Sequence, residues 1–361
     1  MNRPDDHFQA IREAFNEQAV HCEALGSPFT ARLCRLIGAN LDPASPVGVH
    51  IAGWRGDVRS AADNVPLRLC GALNHLVLAE EDNALADVYP QRRPGGEPDD
   101  AVLWAALETA LEANSAMIIR FLASPPQTNE VRRSVALLPA YHQIARHFGL
   151  PLAIRELGAS AGLNLYAHRF AVKTDNGLLG DSDAPLTLQP AWRGETPRHS
   201  DDLRIADTSG CDLQPADLRD PEQRLRLLSY VWPDQSDRVR RTRQAIGIAL
   251  ANPDHRVERA DAIDWLRKQL DAHSAGRVLV IQHTIAWQYF PDGLKQEGKA
   301  LLARYGNKSE TTAPIARISM EADGQGEGAA LTLTLWPDGK IHSLGRVDFH
   351  GRWINWRNPQ F

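Results

Sequence analysis

Cysteine is scarce in this sequence. Its 361 residues include only Cys22, Cys34, Cys70 and Cys211, and no two of them are spaced as a Cys-x-x-Cys pair. This spacing gives no zinc-binding pattern and no signature of a reactive cysteine, so we expect no metal site. Because Cys22 and Cys34 fall within helical patterns, we interpret them as small buried residues of a reduced, cytoplasmic protein.

Long apolar runs and an excess of basic residues are also missing. No stretch reaches the roughly 18 consecutive apolar residues of a membrane span, and the polar segment Met1–His7 lacks the apolar region of a signal peptide. The net charge of −5 argues against non-specific binding of nucleic acid, which needs a basic surface. We therefore expect no membrane span and no nucleic-acid partner.

Residues 1–150 are predicted to form an all-helical N-terminal domain. Apolar residues recur there every three or four positions, which is the spacing of a buried helix face. Ser27–Pro28 is typical of a helix start, and Gly38 is predicted to end that helix. The segment Leu103–Phe121 predicts one long helix, and Val47–Trp54 is the single strand candidate.

From Leu152 onward, strand patterns alternate with helix patterns, which is typical of a parallel sheet. We predict an α/β domain at 151–361 with a Rossmann-like, seven-stranded, mostly parallel sheet that ends in an antiparallel hairpin. The turn Pro337–Gly339 favours that hairpin, and the polar stretch 173–202 is interpreted as an insertion. The strand candidates are Leu152–Glu156, Arg204–Asp212, Val257–Ala260, Val278–Ile281, Ile315–Met320, Leu331–Trp336 and Ile341–Phe349.

A glycine-rich turn directly follows the first strand candidate. Gly158 permits a tight turn with positive φ, and Gly162 lets the backbone approach a ligand. The N–H groups of such a turn favour a carboxylate or phosphate, and Glu156 offers an acceptor for an ammonium or hydroxyl group. This set suits the methionine end of S-adenosylmethionine, and the alternative is a plain structural turn. The predicted cofactor-binding residues here are Glu156, Gly158, Ser160, Gly162 and Asn164.

Two aspartates follow later strand candidates. Asp212 lies where nucleoside-binding Rossmann folds place a carboxylate that binds both ribose hydroxyls. Asp261 and Ala262 follow the third strand candidate, where a carboxylate usually reads the adenine amino group. The alternatives are that Asp212 is a loop residue and that Asp261 caps the helix beginning at Ile263.

The same turn also fits a different enzyme class. Gly158 to Gly162 is Gly-x-Ser-x-Gly, the nucleophile elbow of α/β-hydrolases, with Ser160 as nucleophile. Asp261 and either His283 or His350 then follow in the required order. We rank this alternative lower because that fold needs several strands before the elbow, and the sequence before Leu152 is helical.

Two polar clusters supply the candidate catalytic residues. His283 follows the clearest strand candidate and is the predicted general base, and Trp287 or Tyr289 is predicted to stack against a ligand. Asn129 lies in the cluster Gln127–Ser134 at a helix start, which we expect to face the glycine-rich turn. His283, Tyr289 and Asn129 form the candidate catalytic set. The alternatives are a buried histidine, packed aromatic rings and simple helix capping.

Five segments together resemble the uncharacterised bacterial family called domain of unknown function 2332. The resemblance spans nearly the whole chain and implies no established activity. Its segments are Gln127–Val131, Glu156–Leu165, Arg224–Gln235, Ala260–Trp265 and His350–Trp353.

The C-terminal half is similar to class I S-adenosylmethionine-dependent methyltransferases. Their first motif is an acidic residue, a spacer and three alternate glycines, which Glu156, Gly158 and Gly162 match, with Ser160 replacing the middle glycine. The helix expected between their fifth and sixth strands is missing here, because Glu321–Ala330 is short and glycine-rich. The resemblance implies methyl transfer from S-adenosylmethionine to an unknown small molecule. A serine hydrolase and a non-catalytic binding protein are the alternatives.

Overall fold

The structure is a computed structural model that describes residues 4–60, 62–93, 96 and 98–361. Contacts within the chain divide it into two compact units, Met1–Thr128 with Asp220–Arg240 and Asn129–Arg219 with Arg241–Phe361. The boundary at residue 150 stays a prediction, although this division assigns residues 129–150 to the second unit.

Helices dominate the first unit, which contains α1 to α7, α9 and the start of α10. Serine or asparagine caps followed by proline begin several of them, as predicted at Ser27–Pro28, where the Ser27 side chain accepts from the Thr30 N–H. The helices are α1 Pro4–Ala24, α2 Pro28–Asn40, α3 Pro46–Ala52, α4 Val65–Leu78, α5 Asn83–Ala86, α6 Asp100–Ala113, α7 Ser115–Leu122, α8 Ser134–Phe148, α9 Pro221–Ser229, α10 Ser236–Leu250, α11 Ala262–Asp271 and α12 Asp292–Gly306.

Two predictions for the first unit were wrong. Gly38 does not end α2 but lies inside it, since α2 continues to Asn40. A Cβ at Gly38 would lie 3.0 Å from the Phe15 Cβ of α1. This glycine therefore allows α1 and α2 to approach closely. Val47–Trp54 is not a strand, since Ser45 caps α3 by accepting from the Gly48 N–H at 3.1 Å.

The predicted long helix at 103–121 is broken at Asn114. Asn114 ends α6 and begins α7, and its side chain donates to Asp82 Oδ2 at 3.1 Å. The two helices meet at an angle of 84°. Within the described ranges, no single helix is long and apolar enough to cross a membrane. Taken together, the bent pair α6 and α7 has the length and composition of a membrane-spanning segment, and these are the only two criteria that it meets.

A nine-stranded sheet forms the second unit, and not the seven-stranded sheet that we predicted. All seven predicted strands belong to it, and β5 and β12 are the additions. The hairpin β10–β11 is confirmed as an antiparallel pair. The strands of the chain are β1 Leu152–Leu157, β2 Ala171–Thr174, β3 Gly177–Leu179, β4 Thr187–Leu188, β5 Ala191–Gly194, β6 Ile205–Asp212, β7 Val257–Arg259, β8 Val278–Thr284, β9 Ile315–Glu321, β10 Ala329–Trp336, β11 Lys340–Val347 and β12 Trp353–Trp356.

The order of strands in the large sheet is β5-β12-β11-β10-β9-β8-β1-β6-β7. The five strands β1, β6, β7, β8 and β9 are mutually parallel. The pairs β9–β10, β10–β11 and β11–β12 are antiparallel, and the edge strand β5 is parallel to β12. The region predicted as an insertion contributes β5 to one edge and forms the separate sheet β3-β2-β4. The fold is thus mixed α/β, with a large and mostly parallel sheet.

Helices cover both faces of this sheet. Side chains of α11 and α12 pack with Leu279 and Ile281 of β8 in one apolar cluster. The next residue, Gln282, accepts a hydrogen bond from Tyr141 of α8. Because successive residues of a strand point to opposite faces, α8 lies on the other side of the sheet.

Candidate functional site

The candidate site lies at the carboxyl ends of β1 and β8. The chain runs from β1 to β6 and β7 on one side, and then returns to β8 and β9 on the other side of β1. The strand order therefore reverses between β1 and β8. Ligands of open α/β sheets bind in the crevice outside the carboxyl ends of strands at such a point.

Three alternate residues of the turn after β1 have left-handed backbone conformations. The φ angles are +69° at Gly158, +53° at Ser160 and +71° at Gly162. The positive φ predicted for Gly158 is confirmed. Ser160 is the unexpected member, since this region costs a residue with a Cβ about 1–2 kcal/mol. A non-glycine residue held in such a conformation is often found at a functional site.

The N–H groups of the turn bind protein acceptors. Ser160 N donates to Asp212 Oδ2 at 2.9 Å, and Leu163 N donates to Asn129 Oδ1 at 2.8 Å. Ala159 N donates to the Cys211 carbonyl at 3.0 Å. The structure thus uses these groups to hold the turn, and an anion would have to replace one of these acceptors to bind them.

The two glycines of the turn face protein side chains at very short range. A Cβ on Gly158 would lie 2.6 Å from the Ala286 Cβ. A Cβ on Gly162 would lie 2.8 Å from Val257 and 2.9 Å from His255. Glycine is therefore required at both positions by packing, and the backbone at Gly162 approaches β7 and His255 closely.

Glu156 is a buried carboxyl group at the reversal point. Its side chain is 2% exposed, and burial raises the pKa of Glu156 to about 8 against the opposing effects of Gln282 and Arg133. The group is therefore mostly protonated at neutral pH. Its neighbour across β1 and β8 is Gln282, whose carbonyl oxygen is held by the Tyr141 hydroxyl.

Several polar atoms around Glu156 have no hydrogen-bond partner within the described residues. They are Glu156 Oε2, Gln282 Nε2 and Ser160 Oγ, and all are buried. A buried polar atom without a partner costs about 1–3 kcal/mol, so native proteins have few of them. Glu156 and Gln282 are opposite each other on β1 and β8, and the Gln282 side chain lowers the pKa of Glu156, so these two polar groups lie close together.

A second strained residue lies on the other side of the reversal point, after β8. Ile285 follows β8 and has a φ of +51°, which is a genuine outlier for a β-branched residue. Its neighbour Ala286 packs against Gly158. Strained backbone therefore occurs after both strands that flank the reversal point.

The predicted nucleoside-binding aspartates hold the backbone. Asp212 accepts from Ser160 N and, at 2.9 Å, from Gln214 N. Asp261 caps α11 by accepting from Ile263 N at 2.8 Å and Asp264 N at 3.2 Å, and Ala262 is the first residue of that helix. Ligand binding by these residues stays a prediction. Asp212 lies beside the turn, and its charge acts on Glu156.

His283 belongs to a buried network on the other face of the sheet. Its Nδ1 contacts Glu321 Oε1 at 2.7 Å, and its Nε2 accepts from Arg317 Nε at 3.0 Å. Burial and the neighbouring Arg317 lower the pKa of His283. Because both ring nitrogens are bonded, His283 would have to exchange a partner before it could act as a base, and that role stays a prediction.

Glu321 anchors the segment after β8. It accepts from Ala286 N and Trp287 N at 3.1 Å and from Gln288 N at 3.2 Å. Although burial opposes it, the hydrogen bond from His283 keeps the pKa of Glu321 below its usual range. Tyr289, a predicted catalytic residue, ends this segment and is 70% exposed.

The segment that begins at Asn129 contacts the turn, as we expected. Besides the Asn129–Leu163 bond, Ser134 Oγ donates to Asn164 Oδ1 at 2.8 Å. Arg133 donates to the carbonyl oxygens of Thr284 and Phe349, both at 3.0 Å. The segment therefore ties the turn to the end of β8 and to the C-terminal region. Its residues serve structure, and a catalytic role for Asn129 stays a prediction.

The sequence did not indicate Tyr141, Gln282, Ile285, Arg317 or Glu321. Gln282 is a polar residue inside the clearest apolar strand, and that position is a signal that sequence reasoning could have used. The strain at Ile285 and the role of Glu321 depend on contacts between distant segments. Among the residues that the structure describes, no group of histidine, cysteine and acidic side chains could hold a metal ion.

These features define a mixed α/β protein with a polar, strained site at the reversal of strand order. The chain belongs to the family described as "Uncharacterized protein conserved in bacteria (DUF2332)", whose model matches residues 12–356. The family resemblance found in the five sequence segments is thereby confirmed. No curated protein and no solved structure matches the chain.

Proposed function

We propose that this protein binds S-adenosylmethionine at the carboxyl ends of β1 and β8 and methylates a small molecule. The observation that carries the proposal is a pair of buried atoms, Glu156 Oε2 and Gln282 Nε2, that make no hydrogen bond within the described part of the chain. A serine hydrolase is the second candidate.

The strand order supports a nucleotide-type cofactor. If the five parallel strands are numbered along the chain, their order in the sheet is 3-2-1-4-5. This is the order of the first five strands in Rossmann folds, which bind dinucleotides at the reversal point. We therefore interpret the unit as Rossmann-like, with the antiparallel strands β10 to β12 as a departure from that fold.

The polar pair suits the amino-acid end of the cofactor. Glu156 accepts hydrogen bonds from an ammonium group, and Gln282 Nε2 donates to a carboxylate. Tyr141 positions Gln282 by binding its carbonyl oxygen. An ammonium group next to Glu156 favours the ionised carboxylate, so binding releases a proton from a group whose pKa is about 8 in the free protein.

Neighbouring residues fit the nucleoside end. Each oxygen of Asp212 uses one lone pair on a backbone N–H, which leaves a second lone pair for a ribose hydroxyl. Leu213, the residue after Asp212, is 69% exposed and offers an apolar surface to the adenine ring.

Bound S-adenosylmethionine would supply an electrophilic methyl group. The residues of the chain would contribute mainly by holding the acceptor in line with it. Tyr289 is exposed after β8 and is our candidate to contact the acceptor. His283 would support this segment through Glu321.

The first test is thermal unfolding with and without S-adenosylmethionine and S-adenosylhomocysteine. A ligand at about 100 times its Kd stabilises the folded state by about 2.7 kcal/mol, which raises the melting temperature by several degrees. We expect this shift in the wild type and in the control Glu258→Gln, which changes an exposed carboxylate of β7, and its loss in Glu156→Gln. No shift with either compound at millimolar concentration would overturn the proposal.

The pH dependence of affinity is a second readout. Because the cation favours ionised Glu156, wild-type affinity should rise between pH 6 and pH 8, by at most about tenfold per pH unit. The Glu156→Gln variant should show no such rise. Equal slopes in the two proteins would contradict binding of the ammonium group by Glu156.

The strained serine favours the second candidate. The φ of Ser160 is +53° and its Oγ has no hydrogen-bond partner within the described chain, as expected for a nucleophile on a sharp turn after a strand. The predicted partners Asp261 and His283 are bonded elsewhere. Labelling of the folded wild type, but not of Ser160→Ala, by a fluorophosphonate would support a hydrolase.

A further inference from the structure

We propose that Cys34 and Cys70 in the first unit form an intramolecular disulfide when hydrogen peroxide reaches Cys70. This oxidative modification site is independent of the proposed methyl transfer. Cys34 lies in α2 and Cys70 in α4, and all four cysteines are free thiols in the structure.

The two sulfur atoms are already in contact. Cys34 Sγ and Cys70 Sγ are 3.6 Å apart, and a disulfide bond has a length of about 2.05 Å. The sulfurs therefore need to approach by roughly 1.5 Å for the bond to form. Because α2 and α4 pack in one core, the thiols stay near each other in the folded protein.

Cys70 is the thiol that an oxidant reaches first. It is 6% exposed, whereas Cys34 is fully buried. Cys70 lines a narrow cavity of about 10 Å³ together with Gly71, Tyr230 and Trp232. Since this volume is close to that of one water-sized sphere, only a very small oxidant can enter. Hydrogen peroxide meets this requirement better than a bulky disulfide such as oxidised glutathione.

A third thiol, Cys22, also lies next to Cys34 and offers a competing disulfide pair. Cys22 accepts a hydrogen bond from Gln18 Nε2 at 3.2 Å. The hydrogen bond from Cys34 lowers the pKa of Cys22, and the same interaction raises the pKa of Cys34 well above its usual value. Cys34 therefore lies between two thiols, and Cys22–Cys34 is the competing pair.

The reaction balances with peroxide as the oxidant. The Cys70 thiolate attacks one peroxide oxygen, so an S–O bond forms, the O–O bond breaks, and the leaving hydroxide takes the thiol proton as water. The Cys34 thiolate then attacks Cys70 Sγ, so the S–S bond forms and the S–O bond breaks with loss of a second water. Each sulfur loses one electron, and peroxide is reduced to two molecules of water.

The experiment treats the reduced, full-length protein with hydrogen peroxide. Thiol titration in denaturant should show a fall from four free thiols to two. The intact mass should fall by two hydrogens, and peptide mapping should find the Cys34–Cys70 cross-link. Oxidised glutathione should produce neither change under the same conditions. Because the pKa of Cys34 is raised, ring closure should be faster at pH 9 than at pH 7.

Serine variants give the matched controls. The cross-link should disappear in Cys34→Ser and Cys70→Ser, and it should persist in Cys22→Ser and Cys211→Ser. The oxidised wild type should melt several degrees higher than the reduced protein, because the cross-link restricts the unfolded chain. The wild-type protein alone can overturn the proposal, either by keeping four free thiols after peroxide treatment or by forming a disulfide between Cys22 and Cys34.

Discussion

Glu156 and Gln282 are direct neighbours on the parallel strands β1 and β8, and each has one buried polar atom that finds no hydrogen-bond partner among the described residues. The carboxyl group is mostly neutral at pH 7, because burial raises its pKa to about 8. A protonated carboxyl beside an amide is compatible with burial, whereas a carboxylate without a counter-charge is not. A cationic ligand would therefore change the charge state of this pair.

The buried carboxyl of Glu156 should make the folded state less stable as the pH rises. The unfolded chain ionises near 4.5 and the folded chain near 8, so the folded state holds an extra proton between these values. The free energy of unfolding should fall across this window by up to about 1.4 kcal/mol per pH unit. Urea unfolding at several pH values should show this slope in the wild type and a shallower one in Glu156→Gln. Parallel curves would contradict the raised pKa.

Crowding around Gly158 predicts a large loss of stability in Gly158→Ala. The matched control is Gly149→Ala, since φ is +69° at Gly158 and +64° at Gly149. Among the described residues, a Cβ would meet a neighbour within 4 Å at Gly158 but not at Gly149. Gly149→Ala should cost about 1 kcal/mol through backbone strain alone. Gly158→Ala should cost about 1–3 kcal/mol more, because Ala286 must move. Equal losses in urea unfolding would show that the contact with Ala286 relaxes freely.

Leu213→Asp should weaken binding of S-adenosylmethionine without lowering stability. The Leu213 side chain is 69% exposed, so its replacement removes little packing from the folded protein. The adenine ring of a bound cofactor would lose an apolar contact worth roughly 1–2 kcal/mol. Calorimetry should show about a tenfold or larger rise in Kd. Ile341→Asp, at a residue that is 68% exposed on β11, is the control and should bind normally.

A buried histidine should destabilise the protein in acid. Burial lowers the pKa of His142 to about 4 from 6.5, so below pH 6.5 the unfolded chain gains a proton that the folded chain does not. Stability should therefore fall as the pH drops from 6.5 to 4. His142→Gln keeps an acceptor for the Ser200 N–H and should reduce this loss. The exposed His21→Gln should not change it, and an equal effect of both variants would contradict the assignment.

The parallel core of the sheet could be predicted because each of its strands carries a local pattern. Val278–Ile281 is a continuous β-branched run, and Pro337–Gly339 has the composition of a turn. The two added strands, β5 and β12, are four residues each. They pair with each other across a long stretch of chain, since Ala191 of β5 lies opposite Trp353 of β12. Patterns within one segment cannot show such pairing.

The turn of the candidate site could be recognised from the sequence, whereas most of its surroundings could not. The turn from Glu156 to Gly162 was recognised because glycine spacing is a local property. Gln282 and Ile285 were not, since their importance depends on strand neighbours and on φ angles. Asp261 was placed at its helix cap as one of two alternatives, because the capping pattern is identical to that of a ligand-binding aspartate.

The chain passes between the two units after Thr128, Arg219 and Arg240. Residues 220–240 supply Tyr230 and Trp232 to the core of the first unit, although they are encoded between strands of the second. A gene fragment that ends at residue 128 lacks those rings, and one that begins at residue 129 carries them without their core. A single break at residue 128 therefore leaves the first unit incomplete, and the second unit keeps an inserted segment whose core is missing.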